Sequence, residues 1–112
     1  MPTTPRSESR AEVGVAAALP ISPDATASRV LVNNDLLRVV TFAMDAGQEL
    51  TDHSSPRAVI VQMLAGTLTF TVGSTRYELV AGDVIYLAPG ERHAVVATSA
   101  CRFALVLVDA PA

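Results

Sequence analysis

The feature that most constrains this chain is the strict alternation of apolar and hydroxyl side chains in the segment TLTFTV, residues 67–72. On an extended chain its three apolar side chains face one way and its three threonines face the other. A period of two is typical of a strand with one buried and one exposed side. Gly73-Ser74 follows directly, and glycine supplies the positive φ that a two-residue hairpin turn requires. We therefore predict that the chain returns over Thr75–Val80 as a second, antiparallel strand.

Similar short runs, rich in β-branched and aliphatic residues and bounded by turn-forming residues, recur along the chain after residue 28. These further runs are Arg29–Val32, Leu36–Met44, Ala58–Leu64, Val84–Leu87, His93–Thr98 and Arg102–Val108. Together with the hairpin they make about eight short strands, which is typical of a closed or sandwiched antiparallel sheet. The sequence therefore predicts an all-β, antiparallel barrel or sandwich with little helix.

The chain has 112 residues, which is enough for a single domain with a modest core. Residues 1–10 are polar and proline-rich and predict a disordered tail. Residues 11–27 predict an N-terminal arm or a short helix. The alanine run favours helix and Val-Gly-Val favours an extended chain, so both alternatives stay open. Residues 28–112 are predicted to form the β domain.

Composition excludes several classes of function. The net charge is −3, lysine is absent, and eight arginines are scattered singly, whereas nucleic-acid binding requires clustered cations. No apolar stretch approaches the roughly 20 residues that span a bilayer, so no membrane interaction is expected. Cys101 is the single cysteine and has no disulfide partner within the chain. Charge and prolines around Val13–Leu19 fit a signal peptide poorly, so we expect a cytoplasmic protein.

Two glycine–histidine patterns contain the chain's only two histidines. In the first, Gly47 is followed after five residues by His53-Ser54-Ser55, after three more by Val59, and after six more by Gly66. This spacing resembles the first motif of the cupins, which reads Gly, five residues, His-x-His, three or four residues, Glu, six residues, Gly. Ser55 stands where the second histidine of that motif would be, and Val59 where its glutamate would be.

In the second pattern, Gly82 is followed after five residues by Ala88-Pro89-Gly90, after two more by His93, and after three more by Ala97. The second cupin motif reads Gly, five residues, Pro-x-Gly, two residues, His, three residues, Asn. The glycines and the histidine match, whereas Ala88 and Ala97 depart from the motif. The resemblance covers about residues 34–108 and identifies the chain as similar to small, single-domain RmlC-like cupins.

The resemblance implies a jelly-roll barrel, also called a double-stranded β-helix, and a homodimer. In cupins with the full motif, three histidines and one glutamate hold a metal such as Fe, Mn, Ni or Zn. His53 and His93 are therefore the predicted metal ligands. Because the positions of Ser55 and Val59 carry no strong ligand, we expect a divalent metal to be held weakly.

The two motifs also predict the lining of a ligand pocket. On a continuous strand, residues of equal parity face the same side, so the residues of motif one that share parity with His53 should face inward with it. His93 begins the matching inward row of motif two. The predicted pocket residues are Ser55, Val59, Val61, Met63, Val95 and Ala97.

Three functions remain open at this point. The first is a binding module that holds a small organic ligand in the barrel, with or without a weakly held metal. The second is a metal-dependent enzyme, dioxygenase-like or isomerase-like, in which His53 and His93 ligate the metal. The third is a regulatory or structural protein in which both histidines are core residues without chemistry.

Overall fold

The computed structural model describes residues 3–109 and consists mainly of β-strands. The regular elements of this part, in chain order, are α1 (Val15–Ala18), β1 (Thr26–Asn33), β2 (Leu37–Met44), β3 (Glu49–His53), β4 (Ala58–Ala65), β5 (Leu68–Val72), β6 (Thr75–Leu79), β7 (Val84–Leu87), β8 (His93–Ala97) and β9 (Cys101–Val108). No helix in this part is long and apolar enough to cross a membrane.

The strands form two antiparallel sheets that face each other. Sheet A has five strands in the order β1-β2-β9-β4-β7, and sheet B has four in the order β3-β8-β5-β6. All pairings are antiparallel, and neighbours in a sheet are often distant in sequence, which is characteristic of a jelly roll. The two sheets are not joined into one closed ladder. The prediction of an all-β, antiparallel jelly-roll fold is confirmed.

The eight predicted strands are present, and the largest difference is at β1, which begins at Thr26 instead of Arg29. The hairpin is as predicted, because β5 and β6 pair across Gly73, whose φ is 58°. The ninth strand, β3, was not predicted. It lies at the edge of sheet B and four of its five residues are exposed, so it lacks the apolar alternation that marks a half-buried strand.

The first motif does not lie on one continuous strand, as the parity argument assumed. β3 ends at His53, the chain then leaves the sheet, and β4 begins at Ala58 in the opposite sheet. Ser55 therefore sits in a connecting loop, where its carbonyl accepts the Gly90 amide at 2.7 Å. His53 and Val59 therefore lie on different strands, and their equal parity in sequence does not put them on the same face. Val59 faces inward because of its position on β4.

The core lies between the two sheets. Its buried members come from seven strands and include the inward row of β4. These residues are Met44, Val59, Val61, Met63, Leu68, Phe70, Leu79, Leu87, Val95, Ala97, Cys101 and Phe103. Phe42 and Phe103 pair directly across β2 and β9, and their rings stack with centroids 4.8 Å apart.

The N-terminal segment runs along the edge and the outer face of sheet A. The Thr4 amide donates to the Asn33 carbonyl at 2.7 Å, so this residue docks on the edge strand β1. Arg102 donates to the Leu19 carbonyl at 2.6 Å just after α1. Residues 11–27 thus contain a four-residue helix followed by the start of β1.

The disorder predicted for residues 1–10 stays a prediction. Residues 1–2 of that tail and 110–112 of the predicted β domain lie outside the described residues.

Candidate functional site

The two histidines meet at one end of sheet B. His53 is the last residue of β3, His93 is the first residue of β8, and the two are direct partners in the ladder. A register shift between Leu50 and His53 precedes this pair. Their rings meet edge to face, with centroids 4.2 Å apart and planes at 61°. The strand pairing therefore brings both imidazoles close enough to act on the same group of a ligand.

Each imidazole is oriented by a hydrogen bond to a nearby backbone carbonyl. His53 Nδ1 lies 2.8 Å from the Thr51 carbonyl oxygen, and His93 Nδ1 lies 3.1 Å from that of Glu91. Because a carbonyl oxygen only accepts, each Nδ1 must carry the hydrogen. In the neutral ring, Nε2 is then an acceptor. Neither Nε2 has a hydrogen-bond partner within residues 3–109.

The two rings differ in their surroundings. His53 is exposed at the rim, whereas His93 is only 5% exposed and stacks on Phe70 with centroids 5.6 Å apart. Burial lowers the pKa of His93, and the nearby His53 lowers it further. The hydrogen bond to the Glu91 carbonyl and the carboxylates of Asp52 and Glu91 oppose this change in pKa without reversing it. His93 is thus held in its neutral form.

A small apolar cavity opens beside the two rings, with a volume of about 30 Å³. One water molecule needs about 10–15 Å³ of such space, so the cavity admits a small group and leaves the rest of an organic ligand at its mouth. Apart from the histidines, every side chain that lines it is apolar. The lining consists of Phe42, Leu50, His53, Phe70, His93, Val95, Phe103 and Leu105.

The predicted site residues divide into three groups. His53, His93 and Val95 line the cavity. Ser55 lies in the loop between β3 and β4. The remaining predicted pocket residues are packed in the core and do not border the cavity: Val59, Val61, Met63 and Ala97. Any part these residues play in ligand binding stays a prediction.

Five lining residues were not assigned to the pocket from the sequence. They are Phe42, Leu50, Phe70, Phe103 and Leu105, from β2, β3, β5 and β9, and only Leu50 lies within one of the two motifs. The alternation in β5 does indicate that Phe70 faces inward, whereas the run from Phe103 to Val108 is apolar throughout and does not show which of its residues face inward. Which inward residues approach the histidines depends on how the strands are ordered in the sheets.

A resident metal does not fit the side chains around the histidines. Asp52 is the nearest carboxylate in sequence, but it is held by Arg92, whose Nη2 lies 2.7 Å from Oδ2. Within residues 3–109, no three His, Cys, Asp or Glu residues come together in a group that could hold a metal ion. Two imidazoles alone leave at least one ligand position of a typical protein site unfilled. We therefore derive no step that passes through a metal.

A larger cleft of about 500 Å³ lies elsewhere, at the seam between the edge strands β6 and β7. Tyr77, Glu78, Asp83 and Tyr86 are among the residues that line it. It contains neither histidine and none of the predicted site residues. The small cavity is chemically more specific, because it places two oriented imidazoles against an apolar wall.

Comparison with known proteins identifies the family. The family model described as "Cupin domain" matches residues 40–108, which is more than half of the chain. The chain belongs to the cupin family. This assignment accounts for the jelly-roll topology and for the two motifs that contain His53 and His93.

Solved cupin-like structures resemble this cupin over most of its length. One is a conserved protein of unknown function from Streptococcus pyogenes, with 30% identity and a TM-score of 0.84, covering 100% of this chain and 98% of that one. Another is an RmlC-like cupin from Shewanella frigidimarina, with 21% identity and a TM-score of 0.73, covering 82% of each chain. No significant match was found among functionally curated proteins.

A similar fold also occurs in an enzyme. Salicylate 1,2-dioxygenase from Pseudoaminobacter salicylatoxidans matches 80% of this cupin with a TM-score of 0.71 and 15% identity, and the match covers 26% of the dioxygenase chain. At this identity the likeness concerns the fold alone. The chemistry of this cupin therefore has to be argued from its own cavity.

Proposed function

We propose that this cupin binds a small organic molecule at the cavity between His53 and His93, without a resident metal. The observation that carries the proposal is that two adjacent imidazoles each keep an unpartnered Nε2 beside a cavity whose other lining residues are all apolar. A few polar groups in an apolar wall are the usual way in which a binding site orients its ligand.

The size of the cavity limits how the ligand sits. About 30 Å³ admits one small head group, so the body of the ligand rests at the mouth. His53 is exposed there, and its ring borders both the cavity and the solvent. His93 forms the inner wall. The proposal therefore assigns contact with the head group to His93 and contact with the ligand at the rim to His53.

The experiment compares ligand binding by the wild type and by a His53→Phe/His93→Phe variant, which keeps two aromatic rings and removes the ring nitrogens. Chemical shifts of backbone amides are followed by NMR while a set of small substituted benzenes is added. We expect the wild type to show shifts around β3 and β8, and the variant to lose affinity by about tenfold or more. Arg76→Gln, an exposed residue of β6 that does not line the cavity, is the control and should bind as the wild type does.

If the double variant binds every probe as the wild type does, the histidines have no role in binding and the proposal is wrong.

Metal analysis of protein purified without a nickel column tests the alternative, a metal-dependent enzyme. Near-stoichiometric metal that is lost in a His53→Ala/His93→Ala variant would favour that enzyme over a metal-free binding module.

We also propose that the chain forms a homodimer through the outer face of sheet A. Register places an apolar side chain from each of the five strands in one row across this face: Val32, Val39, Val106, Ile60 and Tyr86. Tyr86 is 63% exposed, and Val84 and Leu64 beside this row are 57% and 46% exposed. Such a row of apolar side chains is unusual for the solvent side of an antiparallel sheet.

The exposed part of this face supports a second copy as its occupant. The N-terminal segment covers the part of this face around Arg102, so the part open to a second copy is the one formed by β4 and β7 and the adjoining part of β9. The exposed side chains named above lie on this part. Sedimentation equilibrium should give a dimer for the wild type and for Tyr77→Lys, and a monomer for Tyr86→Lys. A monomeric wild type, or a dimer that survives Tyr86→Lys, would contradict this interface.

A further inference from the structure

The ring nitrogens that remain without a partner determine what kind of head group the two histidines can bind. Both Nδ1 atoms donate to carbonyl oxygens, of Thr51 and Glu91, and these bonds leave each neutral ring with an acceptor at Nε2. A group that contacts either Nε2 therefore has to supply a hydrogen. A head group that only accepts would meet a lone pair at either ring.

Within residues 3–109, the lining of the cavity contains no cationic side chain for an anion. No arginine is among the residues that line it, and Arg92, the basic residue next to His93, is engaged outside by Asp52. Six of the eight lining side chains are apolar. A carboxylate placed here would lose its hydration without gaining a cation or a hydrogen-bond donor, which is a costly arrangement.

The walls of the cavity favour an aromatic body on the ligand. About 30 Å³ admits only a small head group. The body attached to that group meets aromatic walls, because Phe42, Phe70 and Phe103 all border the cavity. Aromatic rings pack well against such walls in offset or edge-to-face contacts.

We infer that the His53–His93 cavity selects a neutral hydroxyl group carried on an apolar body, of which a phenol is the simplest example, and rejects a carboxylate. The inference rests on the proposed binding function and adds the chemical class of the ligand. The hydroxyl donates its hydrogen to Nε2 of His93, and the ring remains at the mouth beside His53. No bond is made or broken in this step.

Three probes of similar shape test the selection: phenol, toluene and benzoate. They are titrated at pH 8, above the ordinary imidazole pKa of about 6.5, and followed by the amide shifts of β3 and β8. We expect phenol to bind about tenfold more tightly than toluene, because only phenol supplies a hydrogen bond, and benzoate to bind at least about tenfold more weakly than phenol. Equal binding of phenol and toluene, or tighter binding of benzoate, would overturn the inference.

Two variants separate the role of Nε2 from a structural role of the ring. His93→Asn keeps an amide nitrogen near the place of Nδ1 and removes the acceptor at Nε2, so phenol should lose its advantage over toluene. His93→Gln places an amide near Nε2 that presents either its oxygen or its nitrogen, so it should keep part of the phenol binding and gain binding of benzoate. A His93→Asn variant that folds and still prefers phenol tenfold would contradict the inference.

The outcome also distinguishes this inference from the proposed function. If none of the three probes shifts the amides of β3 and β8, the proposed binding site itself fails, and with it the inference. If toluene and benzoate shift these amides as strongly as phenol does, the binding function stands and the selection for a hydroxyl is wrong. Arg76→Gln, which lies outside the cavity, is the control and should leave all three affinities unchanged.

Discussion

His53 and His93 are direct partners across β3 and β8, and their imidazole rings meet edge to face with centroids 4.2 Å apart. One ring is exposed at the rim, and the other is buried against Phe70. The pairing thus gives a single site an outer and an inner imidazole. Since each ring is anchored through Nδ1, both keep Nε2 for a ligand.

The stability of the protein should fall when the pH drops below the ordinary pKa of histidine. Burial lowers the pKa of His93 from 6.5. Just below pH 6.5, His93 therefore binds a proton in the unfolded chain and stays neutral in the folded chain. The free energy of unfolding therefore decreases as the pH falls from about 6.5 toward the lowered pKa. The groups that act on His93 are His53, Asp52 and Glu91.

Urea denaturation at pH 8 and pH 5.5 measures this effect, with His93→Phe as the matched variant that cannot take up the proton. We expect the wild type to lose more stability than His93→Phe between these two pH values. An equal loss in both proteins would mean that burial of His93 contributes nothing to the pH dependence.

Gly66 should be the least replaceable glycine of the chain. Its φ is 74°, and a Cβ at this position would lie 2.1 Å from the Ala100 carbonyl oxygen. Gly73 also has a positive φ of 58°, but a Cβ there would meet nothing within 4 Å. We expect Gly73→Ala to cost about 1–2 kcal/mol, and Gly66→Ala about 2–5 kcal/mol because the backbone must also move. Urea denaturation of both variants checks this, and equal costs would contradict the close approach.

Cys101 should be unreactive in the folded protein. It is 1% exposed at the start of β9, and burial raises the pKa of its thiol, so little thiolate is present at neutral pH. We expect labelling by a thiol reagent at pH 7 to be at least about 100-fold slower in buffer than in 8 M urea. Labelling in buffer at the rate of the unfolded chain, without loss of structure, would contradict this burial.

The sheets were largely predictable because their strands carry their own signals. The alternation in residues 67–72 and the turn at Gly73 predicted β5 and β6 closely. β3 was not predicted because it is an edge strand with mostly exposed side chains, and such a strand lacks the alternation of apolar and polar residues that burial of one side produces. Missing β3 also produced the wrong assumption that His53 and Val59 share a strand.

The candidate site was predictable only in part. The parity of β8 correctly indicates that His93 and Val95 face inward, since both are buried. The contact between His53 and His93 depends on β3 pairing with β8, two strands separated by four others in the chain. The carbonyls that set the tautomers belong to residues just before each histidine, and their direction follows from backbone geometry that residue types do not encode.

Restoring the two missing ligands of the family motif should create a metal site. Ser55→His/Val59→Glu would supplement His53 and His93 with the residue types that the full motif carries. We expect this variant to retain close to one divalent metal per chain and to melt at a higher temperature with metal than with a chelator, because a buried glutamate then gains a partner. The wild type should show neither effect.

The control for this variant is Ser55→His/Val59→Gln, which has a similar shape and lacks the carboxylate. It should retain less metal than the glutamate variant. If the Ser55→His/Val59→Glu protein folds and binds no metal, the missing ligands at positions 55 and 59 are not the reason why the wild type lacks a metal site. Stoichiometric metal in the wild type would contradict a metal-free cavity.

The most direct test of the account is the tautomeric state of the two imidazoles, since the proposed site depends on an accepting Nε2 in each ring. Long-range ¹H–¹⁵N NMR at pH 8 distinguishes the protonated from the unprotonated ring nitrogen of His53 and His93. The account predicts the hydrogen on Nδ1 in both rings, and a change at Nε2 of His93 when phenol is added. A hydrogen on Nε2 of His93 in the free protein would contradict it.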